Sequence, residues 1–143
     1  MFWINFAVLF LFYFFTQSLA QISKGNKFFK QGEYFAAIPY YQKEVKKKDS
    51  EAKQEAYLKL GFCYKTLNDY VNAEKDYSEA FKISEDASPD NYYNYAQVLK
   101  VNSKYEEAAK YLNKYIAVSP KDENAKRALR FCNEINYYMT QPV

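Results

Sequence analysis

Residues 57–65 read YLKLGFCYK. All but one of these residues suit the middle of a helix. The exception is Gly61, where a glycine costs about 1 kcal/mol relative to alanine. No Asn or Pro stands beside it to make a turn. Either a helix breaks here, or the missing side chain is itself useful. The choice decides the fold.

The surroundings of Gly61 recur along the chain. GNKFFKQGEYFAAIPYYQKEV (25–45), GFCYKTLNDYVNAEKDYSEAF (61–81) and AQVLKVNSKYEEAAKYLNKYI (96–116) align without gaps. Gly25, Gly61 and Ala96 correspond, as do Phe28, Tyr64 and Leu99. So do Tyr34, Tyr70 and Tyr105; Ala37, Ala73 and Ala108; and Tyr41, Tyr77 and Leu112. Gln31-Gly32-Glu33, Leu67-Asn68-Asp69 and Asn102-Ser103-Lys104 read as short polar turns inside each unit. Each unit is therefore expected to be two helices. Ser88-Pro89-Asp90 and Ser119-Pro120-Lys121-Asp122 carry a capping hydroxyl, a proline and an early acid, the signature of a helix start. Lys46-Lys47-Lys48 falls where a helix ends, as the negative end of its dipole favours. After Pro120, Ala125, Ala128, Leu129, Cys132, Ile135 and Met139 share one helical face, with Lys126, Arg130 and Glu134 elsewhere. Seven helices and no strand are expected.

A unit near 35 residues with these small, aromatic, Tyr and Ala positions resembles the tetratricopeptide repeat. Tyr57-x-x-Leu60-Gly61-x-x-Tyr64 follows its first-helix pattern, and Ala73-x-x-x-Tyr77 its second. The resemblance covers about residues 18–122 and continues into a final helix. It implies an all-α solenoid of three helix pairs: repeats at 21–51, 54–87 and 89–122, a capping helix at 123–139 and a tail at 140–143. It also gives Gly61 a role, as a small position expected to face Ala73 where the paired helices cross. Glu44 and Tyr115 depart from the pattern, since the corresponding position is usually small, as at Ala80. Pro39 falls inside a second helix and removes one backbone hydrogen bond. Eight tyrosines (Tyr34, Tyr41, Tyr57, Tyr64, Tyr70, Tyr77, Tyr92 and Tyr105) stand at core positions of the repeat. Tyr40, Tyr93, Tyr111, Tyr137 and Tyr138 have no such assignment.

Composition narrows the function. The 143 residues carry a net charge of +3 and contain no His. That absence removes the commonest general base and metal ligand. Cys63 and Cys132 are too far apart for a metal motif and read as buried small hydrophobes. Gly25, Gly32 and Gly61 fit no phosphate-binding spacing. No catalytic residues, metal or cofactor are expected, and the protein reads as a non-enzyme. The modest charge gives no reason to expect nucleic acid.

The first twenty residues, MFWINFAVLFLFYFFTQSLA, hold no charge. Their apolar run of about 14 suits a signal peptide better than a spanning helix, which needs about 20. Ser18-Leu19-Ala20 offers a cleavage site that would leave Gln21 as the N-terminus. No Lys or Arg precedes the run, while Lys24, Lys27 and Lys30 follow it. Residues 2–22 as an uncleaved membrane anchor therefore stay open. Export to a bacterial periplasm or cell envelope is the expectation.

The resemblance further implies that first helices line a concave groove for a peptide or partner segment. Its groove positions fall on Asn26, Phe29 and Lys30; Leu58, Phe62 and Lys65; Tyr93, Gln97 and Lys100; and Arg127 and Phe131 of the last helix. This set is apolar-aromatic with only basic charges, so an acidic or aromatic-bearing protein segment is the expected partner. The basic clamp that some relatives use for a carboxylate is not expected, because Ile22, Phe62 and Tyr93 stand at several of its positions. A looser likeness links PDNYYNYAQVLKVNSKYEEAAKYLNKYIAVSPKDENAK (89–126) to the N-terminal block of exported envelope proteins. Those proteins carry propeller and OmpA-like domains downstream, some of them in secretion or gliding machinery. The chain would then be a module or truncated relative of such a protein; a membrane-anchored assembly factor is the other alternative.

Overall fold

The computed structural model describes residues 22–48 and 50–141. The signal-peptide or anchor reading of 1–20 lies outside these residues. The described chain is helical, with no strand among the described residues. α1 covers 22–30. It is followed by α2 (Tyr34–Val45), α3 (Lys53–Thr66), α4 (Tyr70–Ile83), α5 (Pro89–Val101), α6 (Tyr105–Val118) and α7 (Glu123–Met139). The closest packing is α3 on α4, α5 on α6, α6 on α7 and α2 on α3, with thinner contact between α4 and α5.

The stretch around Gly61 is unbroken helix. A Cβ on Gly61 would lie 2.7 Å from Cδ2 and 2.8 Å from Cγ of Tyr77. The atoms nearest the glycine belong to the Tyr77 ring, one turn beyond the Ala73 expected from the alignment. Ala73 is fully buried in the same cluster, but the ring is what uses the space. Repeat one shows the same arrangement: a Cβ on Gly25 would stand 3.0 Å from Cε1 of Tyr41. In repeat three the corresponding residues are Ala96 and Leu112, both fully buried. A larger residue on one helix is matched by a smaller one on its partner.

Two clusters of buried side chains result. One joins Ala37, Ile38, Tyr41, Ala56, Leu60 and Cys63 across α2 and α3. The other runs from α4 to α7 through Tyr77, Phe81, Tyr95, Leu99, Tyr111, Leu112 and Cys132. Of the eight expected core tyrosines Tyr41 and Tyr77 are fully buried, and Tyr34, Tyr57, Tyr64, Tyr70, Tyr92 and Tyr105 pack half-buried against the two clusters. Tyr95 and Tyr111 are buried without an assignment from the repeat. Phe81 and Tyr95 stack with centroids 5.4 Å apart, and the Tyr111 ring lies tilted against both at 4.9 and 4.7 Å.

The turns inside the pairs share one geometry. Gly32, Asn68 and Ser103 occupy corresponding positions and all have positive φ, at 77°, 62° and 61°. The next residue's N–H then reaches back to a helix carbonyl in each case: Glu33 to Phe28, Asp69 to Tyr64 and Lys104 to Leu99, at 2.8–2.9 Å. This is a Schellman ending, which normally uses glycine. Only the first repeat supplies one.

Helix starts depart from expectation at two places. α7 begins at Glu123, and its cap is Asp122, whose Oδ1 accepts from the N–H groups of Asn124 and Ala125 at 2.9 and 3.0 Å. Ser119 instead closes α6, and Pro120 lies in the connection. Ser88 caps α5 by position, but its hydroxyl takes the Asn91 side chain rather than a backbone N–H. Ala125 and Cys132 form the buried face of α7 as expected, whereas Met139 is 66% exposed. Pro39 sits within α2 on its exposed side.

Glu44 and Tyr115, the departures from the small position, each hold the connection that follows them. The Glu44 carboxylate is fully buried and accepts from Lys47 Nζ and the Ser50 hydroxyl. The Tyr115 hydroxyl donates to Asp122 Oδ2 at 2.9 Å. Where Ala80 offers no polar atom, Gln54 reaches across instead, donating to the carbonyls of Ser84 and Asp86 at 2.9 Å.

Gly61→Ala is expected to lower stability by about 1–3 kcal/mol, although alanine is the better helix former, because the new methyl overpacks against a buried ring. Adding Tyr77→Leu should recover part of the loss, as in the Ala96–Leu112 pair. Thermal denaturation of the three variants checks both statements, and an unchanged Gly61→Ala midpoint would rule out this crossing. Ser103→Gly should stabilise by about 1 kcal/mol through relief of the left-handed backbone, measurable as a higher urea midpoint with unchanged slope.

Candidate functional site

The first helices of the pairs carry a pocket of about 500 Å³ between α1, α3 and α5. α3 supplies Glu55, Leu58, Lys59 and Phe62, spaced i, i+3, i+4 and i+7, which places all four on one helix face. α1 adds Phe29. α5 adds Tyr93 and Asn94, with Ser88, Asp90 and Asn91 near its start. The floor is aromatic: the Phe29 and Phe62 rings lie 5.2 Å apart, and Tyr34 closes on both at 5.4–5.6 Å. Lys59 holds its Nζ over the Phe29 ring at 4.2 Å.

Four of the sequence-selected residues, Phe29, Leu58, Phe62 and Tyr93, line this pocket together. The others stand elsewhere. Asn26 is engaged internally, its Oδ1 accepting from the Tyr41 hydroxyl at 2.7 Å. Lys65 is half-buried and donates to Asn94 Oδ1 at 2.9 Å; burial pulls its ammonium below the usual lysine range. Lys30 is exposed at the end of α1, and Gln97 and Lys100 are half-buried on α5. Arg127 is exposed on α7. Phe131 is 45% exposed and sits edge-on to Tyr105, with centroids 5.9 Å apart.

Sequence reading missed Glu55, Lys59, Asp90 and Asn94, and with them the charge of the pocket. The lining is not only basic: two carboxylates, Glu55 and Asp90, share it with one ammonium, Lys59. The signal was present in the α3 stripe beginning at Glu55. The alignment register had selected positions 58, 62 and 65 from that helix, and position 65 turns toward Asn94.

A displaced carboxyl lies outside the pocket. Burial raises Asp76 on α4 from its ordinary 3.8 to about 6, with Glu79 and Asp69 adding to the rise against Lys75. Asp76 does not line the pocket, so this shift does not mark a catalytic group in it. Burial likewise pushes the Cys63 thiol up to about 12, leaving it an unreactive core residue. No group of three His, Cys, Asp or Glu among the described residues could hold a metal ion.

The raised Asp76 value has a stability consequence. Between about pH 4 and 6 the folded chain keeps a proton that the unfolded chain has released, so this group's contribution to stability falls as pH rises through that window. Asp76→Asn should remove that part of the slope and be more stable than the parent at pH 7. The difference between the two stability–pH curves measures it.

The sequence profile of the tetratricopeptide repeat matches residues 54–86 and 89–122. No curated protein sequence matches the chain. Among solved structures, the first TPR of Spaghetti (RPAP3), bound to the HSP90 peptide SRMEEVD, is 25% identical with a TM-score of 0.67, over 85% of this chain and 94% of that one. The first TPR domain of human RPAP3 is 26% identical with a TM-score of 0.63, over 82% and 90%. The Arabidopsis OM64 TPR domain is 21% identical with a TM-score of 0.68, over 83% and 96%.

Proposed function

From a chain that carries tetratricopeptide repeats, we propose a non-enzymatic interaction module that binds an extended protein or peptide segment along the face formed by α1, α3 and α5. The observation that carries this reading is the aromatic-floored pocket on that face. A similar fold holding an acidic peptide, SRMEEVD, is consistent with it. The partner segment is acidic or aromatic-bearing. A large apolar side chain fits over Phe29 and Phe62, and Lys30, Lys100 and Arg127 offer rim charges. Such rim charges steer association more than they add affinity.

The test compares capture of a partner by the immobilised chain and by variants. Leu58→Gln in the pocket should weaken capture at least tenfold, and Lys100→Glu should slow association. Phe35→Ala should leave capture unchanged, because Phe35 is 79% exposed on α2, a second helix. Equal capture by Leu58→Gln and the parent would remove the groove from consideration.

The module is exported, with residues 1–20 as a signal peptide. Support comes from the uncharged apolar run and Ser18-Leu19-Ala20. No helix among the described residues is long and apolar enough to cross a membrane. An intact mass beginning at Gln21 is the expected result for the mature protein; retention of residues 2–22 would favour the anchored alternative.

A further inference from the structure

The pocket's charges are ordered along the helices. Glu55 lies in the first turn of α3 and Asp90 in the first turn of α5, and both line the pocket. Lys65 and Lys100 lie in the last turns of the same two helices. Glu55 and Phe62 are seven residues apart, so about 10 Å of α3 separates the carboxylate end from the aromatic floor. Neither Glu55 nor Asp90 is in an ion pair among the described residues. Lys59, the cation on the same wall, is drawn over the Phe29 ring. Helix dipoles account for an acid at each helix start and a base at each end. They do not require both acids to open onto one aromatic-floored cavity.

We infer that the pocket takes an apolar side chain flanked by a basic residue of the partner segment, the cation lying against Glu55 and Asp90 while the apolar group covers Phe29 and Phe62. This rests on the groove reading above and refines it: acidic residues of the partner belong beside the lysines at the helix ends, away from the pocket mouth. Charge complementarity selects this occupant. A segment with a carboxylate next to its apolar anchor would set like charges together in a partly dehydrated site.

The test uses the full chain and three blocked, dye-labelled peptides, Gly-Ser-Gly-Trp-X-Gly-Ser-Gly, with X as Arg, Gln or Glu. Fluorescence anisotropy at low ionic strength should rank them Arg, then Gln, then Glu, each step roughly threefold or more. The ranking should fade at 1 M salt, where the screening length is about 3 Å. Glu55→Gln with Asp90→Asn should level the three affinities. Equal affinities in the parent chain, or a preference for the Glu peptide, would overturn the inference and leave the groove reading intact. Failure of all three peptides to bind would also overturn it. The groove reading falls with it only if Leu58→Gln leaves partner capture unchanged as well.

Discussion

The close crossing of Gly61 with the Tyr77 ring is the constraint on which the rest of the structure depends. A ring whose atoms would stand 2.7–2.9 Å from a Cβ requires that the backbone carry no side chain at that point. The pair then approaches closely enough to bury Ala73, Leu60 and Cys63 around it. Gly25 with Tyr41 repeats the solution, and Ala96 and Leu112 stand at the corresponding positions of repeat three, both fully buried. The cost of glycine in a helix is about 1 kcal/mol, whereas burying an aromatic side chain contributes about 1.5–3 kcal/mol. The Tyr77 hydroxyl, buried with no hydrogen-bond partner among the described residues, offsets part of that gain.

Stacking the pairs poses a separate problem, because each connection must close while its polar groups are satisfied. The chain solves it differently each time. A buried carboxylate, Glu44, gathers Lys47 and Ser50; Gln54 spans to the 84–86 carbonyls; and Tyr115 fastens the cap residue Asp122. These contacts set how one pair sits on the next, and so the spacing between α1, α3 and α5. The pocket is a product of that spacing. Its floor is aromatic because Phe29 and Phe62 meet across two repeats. Its mouth is acidic because helix starts favour carboxylates, and two starts lie side by side.

The site was legible only in part. Phe29, Leu58, Phe62 and Tyr93 could be selected from the repeat register, since each is an apolar residue on a first-helix face that packs against the core and stays only half-buried. Asn26 and Lys65 could not be told apart from them. Each is polar and correctly spaced, yet each is held by a partner far away in sequence: Tyr41 for Asn26 and Asn94 for Lys65. Glu55 and Asp90 were overlooked for the opposite reason. An acid in a first turn has a sufficient local explanation, and nothing local says that it also faces a cavity.

What the sequence by itself determined is the helix count, the pairing and the period. These follow from side-chain spacing within a few turns, and three copies of one pattern reinforce each other. Only the tertiary structure decided that the Tyr77 ring lies nearest Gly61, that Asn68 and Ser103 adopt left-handed backbone, and that Tyr95 and Tyr111 are buried. It also decided that two carboxylates share a pocket with two phenylalanines. In each case the deciding contact joins residues whose distance depends on how helices rotate and stack. That rotation is set by the summed packing of whole faces, which no single stretch of sequence specifies.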